Sequence, residues 1–104
     1  MEKIKYMYVI KGTSYERHEI GFCRITYCAV VGIYSTYEIM NKAMNKIINK
    51  SNKLDYIDRV EIKEVGGCSE GNFREVYVYF KNNRIPPYVT KYTVERHPVD
   101  VYPK

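Results

Sequence analysis

The side chains best equipped for proton transfer in this chain are Glu16, His18 and Glu19, which sit together in one polar stretch. General acid–base work needs such a group within hydrogen-bond reach of a reacting atom and held there by a partner. No nucleophile constellation and no glycine-elbow serine accompanies them, so no catalytic residue is assigned and no enzyme activity is expected. Three cysteines, Cys23, Cys28 and Cys68, are an odd number without the close, even spacing of a disulfide scaffold, and they fit a reducing compartment. Cys23 and Cys28 lie five apart in an expected strand, so the period of two points them to opposite faces and keeps them from pairing. Only His18 and His97 stand ready to join the thiols, without the spacing that sets tetrahedral zinc geometry, and neither a metal nor a cofactor is expected. The glycine-rich run from Gly66 to Asn72 lacks the Gly-Lys-Ser/Thr ending and the following helix of a phosphate loop, and reads as a turn.

Binding chemistry remains, carried by two groups of residues. The chain has twelve tyrosines and no tryptophan. Tyr77 and Tyr79 alternate with Val76, Val78 and Phe80, which puts both rings on the face away from the core, beside Arg74 just before them. Paired aromatics on an open sheet face stack nucleobases, anchor a protein interface, or pack under the chain's own loops. The second group is the row Lys42, Lys46 and Lys50, continuing to Lys53, read as having no acid at i±4 within its helix. Such a row attracts an anionic partner, nucleic acid or an acidic protein surface, or stands solvated.

A third outcome for the lysines is internal. Net charge is +5, and the excess is confined to the first half. Residues 1–53 carry nine Lys or Arg against four Asp or Glu, while residues 54–104 carry eight of each. Within the second half, residues 54–75 hold six acids, Asp55, Asp58, Glu61, Glu64, Glu70 and Glu75, against three bases, close enough in sequence to lie beside the lysine row.

The elements that would position these groups follow from hydrophobic period. Residues 4–11 are rich in β-branched and aromatic types and read as a first strand, ended by the polar stretch Gly12 to Gly21. The strongest strand runs from Phe22 to Tyr34, with Cys23, Ile25, Tyr27, Ala29, Val31 and Ile33 expected to face the core. Ser35 or Thr36 then caps a helix reaching to Lys50, and Glu38, three after Ser35, completes a capping box. Ile39, Met40, Ala43, Met44, Ile47 and Ile48 form one stripe of a 3.6-residue period, opposite Asn41, Lys42, Asn45, Lys46, Asn49 and Lys50. Asparagine is a poor helix former, so packing on a sheet has to hold this helix.

After the loop Ser51 to Asp55, strands are expected from Tyr56 to Val65 and from Phe73 to Lys81, joined as a hairpin. Two prolines break the pattern at Pro86 and Pro87, and a fifth strand from Tyr88 to Arg96 reads as an edge. His97 to Lys104 would be an extended or mobile tail of the single domain 1–104.

Val31, Gly32, Ile33, Tyr34, Ser35, Thr36, Tyr37 and Glu38, followed by that helix, give the chain a resemblance to small uncharacterised α+β domains of low-GC bacteria and their phages. In those domains a strand ends in a Gly-Val-Tyr-Ser-Thr-like turn and caps an amphipathic helix. The resemblance covers roughly residues 22–50. It implies a fold and brings no activity and no functional residue, and the long third and fourth strands depart from that pattern.

The chain is therefore expected to be α+β, ββαβββ in order, an antiparallel sheet of four to five strands with one amphipathic helix on one face. At 104 residues, 45% hydrophobic and 28% charged, it has the balance of one folding domain. No apolar run approaches the roughly 20 residues of a membrane span, and a charged start argues for the cytoplasm, the host's if phage-encoded. The expected role is a non-enzymatic protein-interaction domain, a phage-encoded modulator or inhibitor of a host defence protein, with a host protein or a second copy as partner. The alternative is a nucleic-acid-binding module. Candidate contact residues are Tyr77, Tyr79, Arg74, Lys42, Lys46 and Lys50.

Overall fold

Alternating apolar residues form five long strands here, β1 (Tyr6–Arg17), β2 (Cys23–Tyr34), β3 (Ile57–Cys68), β4 (Gly71–Phe80) and β5 (Tyr88–Pro98). One helix, α1 (Tyr37–Asn52), lies between β2 and β3. The structure, a computed structural model, describes residues 5–17, 23–81 and 88–99. The strands make one antiparallel sheet in the order β2-β1-β5-β4-β3, the α+β architecture expected.

Because α1 takes the chain from β2 at one edge to β3 at the other, it has to traverse the whole sheet. Its 16 residues span about 24 Å at about 1.5 Å each, against about 19 Å for four inter-strand gaps. Thr36 caps it, with Oγ1 accepting the Ile39 amide at 3.1 Å. The box expected between Ser35 and Glu38 does not form, since with Thr36 as N-cap Glu38 falls one position short of the reciprocal site. The buried stripe is Met40, Met44, Ile48 and Ser51, narrower than the sequence suggests. Ala43 and Ile47 flank it half-buried, and Ile39 is 48% exposed.

Beneath α1, Tyr8 and Ile10 of β1 and Val76 and Val78 of β4 join Met40, Met44, Ile48 and Ile57 in one buried cluster. An aromatic trio closes its end near the helix start. Tyr8 meets Tyr37 and Phe73 edge-on at 6.2 Å, and Tyr37 and Phe73 stack at 6.3 Å. Tyr37 also donates to the Asn72 carbonyl at 2.6 Å, tying the first helical turn to the β3–β4 hairpin.

Two strands exchange the places expected for them. β5, read as an edge, is central, paired with β1 along its length and with β4 on its other side. β2, read as the main core strand, is an edge. β1 also continues through Thr13 and Ser14 to Arg17, because those polar residues pair across the sheet, Ser14 with Thr90 at 2.9 Å. Period two fails in β2 because Thr26 and Val31 are extra residues opposite register shifts in β1. Ile25 and Ile33 therefore share the face away from α1, while Tyr27 and Ala29 pair with Ser14 and Gly12 on the helix side. Both sets stay open to solvent. Strands of this length run roughly 35–40 Å, so a single helix about 10 Å wide covers only part of one face.

Candidate protein-interaction surface

The tyrosine face forms as expected on the side away from α1, yet its groups are already engaged with one another. Tyr77 donates to Glu75 at 2.9 Å, and Tyr79 donates to Glu61 at 3.3 Å. Lys63 and Lys91 lie 5.2 and 5.5 Å from the Tyr77 ring centre, and the Arg59 guanidinium lies 4.0 Å over Tyr79. Glu75 in turn holds Lys91 at 3.3 Å, and Arg59 also reaches Asp58 and Glu61. Burial, then the bond to Glu75, pushes the Tyr77 phenol up. Farther along the same face, Lys11 and His97 hold the Glu95 carboxyl below its ordinary value. Both ring faces and hydroxyls are thus occupied by mixed charges, an arrangement that leaves little bare π surface for a base to stack on.

The other expected contact residues are spread elsewhere. Arg74 lies on the opposite face from Tyr77 and Tyr79 and donates to Asn41 Oδ1 at 2.6 Å, bracing α1 on β4. Lys42 does have an acid at i−4. Glu38, assigned from sequence to the capping box, belongs to the first turn of α1 and lies 3.6 Å from the Lys42 ammonium. Lys46 and Lys50 are exposed on the outer side of α1. Among the described residues the acidic segment does not pair with this row. Asp58 and Glu61 engage Arg59, Glu64 accepts from Asn72, Glu70 accepts from Tyr8, and Glu75 engages Lys91. His18 and Glu19, and the side chain of Glu16, lie outside the described residues. Among the described residues no three His, Cys, Asp or Glu side chains gather as metal ligands, and no helix is long and apolar enough to cross a membrane.

At the start of α1 a cavity of about 390 Å³ is lined by Tyr6, Tyr8, Tyr34, Thr36 and Glu70. The buried Tyr8 hydroxyl in its wall is spent, since it donates to Glu70 at 2.8 Å. Burial pushes the Tyr8 phenol up to about 12, helped by that bond and by nearby Cys68. A phenol raised in the folded chain contributes stability that is complete below its ordinary value of 10 and lost as pH rises through about 12. Denaturation midpoints are expected to fall across that alkaline window, and the difference in phenolate absorbance between the chain and Tyr8→Phe is expected to place the Tyr8 ionisation at its upper end. In Tyr8→Phe this part of the slope disappears.

The surface that sequence reasoning missed is β2. Ile25 is 59% exposed, Tyr27 64%, Val30 54%, Val31 47% and Ile33 60%. Cys28, between them, is exposed and free, with Thr13 Oγ1 3.6 Å from its sulfur. These side chains occupy both faces of an edge whose outer backbone groups have no neighbouring strand among the described residues. Beside it, Gly12, Ala29, Val31 and Tyr92 line a groove of about 230 Å³ that α1 leaves uncovered. The opposite edge is built differently. β3 carries Asp58, Arg59, Glu61, Lys63 and Glu64, charges that keep an edge from pairing, while register irregularities occur in both edge strands. From Ile25 to Tyr34, β2 carries no charge and no proline.

No family model, no curated protein and no solved structure matches this chain.

Proposed function

We propose that this chain is a non-enzymatic protein-interaction domain whose contact is the open β2 edge. The observation that carries this is the contrast in side chains between the two edges, β3 bearing five charged residues and β2 none from Ile25 to Tyr34, with five large apolar side chains open to water. An uncharged apolar edge is a template for another strand, through backbone hydrogen bonds with side chains setting register. The mixed charge on the tyrosine face favours protein over nucleic acid, because Glu61, Glu75 and Glu95 stand among the cations there. That the chain is a phage-encoded modulator of a host defence protein belongs to this proposal and is motivated by small size, a Lys/Asn/Tyr-rich composition, an aromatic sheet face and, in part, by analogy of fold. So does its placement in the host cytoplasm.

The test is affinity capture by the tagged chain, from bacterial lysate and from a mixture with its own untagged copy. Ile25→Lys and Ile33→Lys are expected to abolish whatever protein is captured, and Tyr77→Ala with Tyr79→Ala to leave it in place. Capture that survives both lysine variants, or that nuclease removes and Lys46→Glu weakens, would replace this proposal with the nucleic-acid alternative or another surface.

A further inference from the structure

The β2 edge is complementary to itself. A two-fold axis through Ala29 sets antiparallel copies so that Ile25 faces Ile33 of the second copy, Tyr27 faces Val31, and Cys28 faces Val30. Directly paired residues of antiparallel strands share a face, and here the faces agree. Ile25, Cys28, Val30 and Ile33 pair with Tyr15, Thr13, Lys11 and Val9, all on the side away from α1. Tyr27 and Ala29 pair with Ser14 and Gly12 on the helix side, where Val31 also lines the groove beside Tyr92. The two bulges, at Thr26 and Val31, lie one on each side of Ala29, so they preserve this agreement. With no bulge, period two would give Ile25, Tyr27, Ala29, Val31 and Ile33 one common face.

We propose that β2 pairs with β2 of a second copy of this chain about Ala29, joining two five-stranded sheets into one of ten. This deepens the interaction reading and rests on it, naming the occupant of the edge. No charge between Ile25 and Tyr34 meets its like across the axis, because the excess lysines lie on α1. Pairing takes the outer row of β2 backbone groups and one flank of each of the five open apolar side chains out of water on both copies. Closure follows from the other edge. Each outer edge of the joined sheet is β3, whose charges stop further addition, so assembly ends at two.

Sedimentation across a concentration series tests this on the full chain. The expected species has twice the 12.4 kDa chain mass, and Ile33→Lys, at a position 60% exposed in one copy, weakens association by at least about 30-fold while the circular dichroism of the fold is kept. Lys63→Glu on β3 leaves the dimer unchanged. As a second measurement, Ala29→Cys in a Cys28→Ser background is expected to form a disulfide between copies on mild oxidation, because residue 29 meets itself at the axis. A monomer at every concentration, open-ended assembly, a dimer that survives Ile33→Lys, or no cross-link at residue 29 overturns the proposal. A monomer whose capture of another protein still depends on Ile25 and Ile33 removes the second copy and leaves the interaction domain standing. A monomer with no such capture removes both.

Discussion

Ile10→Ala is expected to destabilise the chain by about 2–5 kcal/mol, the cost of removing buried methylenes and leaving a cavity. Ile10 has no solvent contact, sits in a strand flanked on both sides, and belongs to the cluster that α1 covers. Met44→Ala, at 1% exposure on the facing helix, is expected to cost a similar amount. The double variant should lose less than the two together, since both empty the same cluster. For a domain of this size each loss is a large fraction of a stability of about 5–15 kcal/mol and lowers the melting temperature by roughly 10–25 °C. Ile39→Ala is the contrast. Although Ile39 shares the hydrophobic stripe in sequence, it is 48% exposed, and its loss is expected to cost under about 1 kcal/mol. Chemical denaturation of the four proteins checks the ranking, and equal costs at residues 10 and 39 would contradict the placement of α1.

Gly67→Ala is expected to open the end of the β3–β4 hairpin at a cost of about 1–3 kcal/mol or more. A methyl at Gly67 would lie 2.7 Å from the Asn72 Cα and press on the Gly71 carbonyl, both backbone atoms with no rotamer to relieve the contact. The consequences reach the aromatic trio. Asn72 accepts the Tyr37 hydroxyl, and Glu70, in the turn between the two strands, accepts the Tyr8 hydroxyl. Displacing the turn therefore loosens both phenols, and Tyr8 is expected to ionise closer to 10 than to about 12. A denaturation curve gives the first effect and an alkaline titration the second. A wild-type titration curve in a destabilised Gly67→Ala chain would show that the hairpin end and the Tyr8 environment are independent.

Much of the local structure is legible in the sequence. The six elements, their order, the β3–β4 hairpin and the outward placement of Tyr77 and Tyr79 follow from period and turn residues. What is not legible is long-range pairing. The eleven residues of β5 look like an edge because they follow two prolines, but β1 and β4 both pair with it once α1 has carried the chain across the sheet. β2 looks like a core strand because it is the most apolar, and local pattern does not distinguish a strand buried inside one chain from one left open for another. Its two bulges are equally hidden, since Thr26 and Val31 are ordinary strand residues. The charges of Asp58, Arg59, Glu61, Lys63 and Glu64 were the available signal, because a row of charges is the mark of an edge strand and β2 lacks it.

The lysine row illustrates a smaller lesson about counting. Whether Glu38 belongs to the cap or to the helix depends on which of Ser35 and Thr36 is the N-cap, and one residue decides it. Once Thr36 takes that role, Glu38 becomes the i−4 neighbour of Lys42, and the row shortens to Lys46 and Lys50. A pair exposed on both sides is worth little, so Lys42→Ala is expected to leave stability nearly unchanged.

β2 is proposed as the edge through which this chain meets another protein. Amide hydrogen exchange measured at several protein concentrations tests it most directly, since an edge amide gains protection only when a strand joins it. Protection at residues 25–33 is expected to rise with concentration, or on addition of a captured partner, while residues 58–66 of β3 exchange as before. Exchange in β2 that ignores both, with protection appearing instead on β3 or around Tyr77 and Tyr79, would contradict the account.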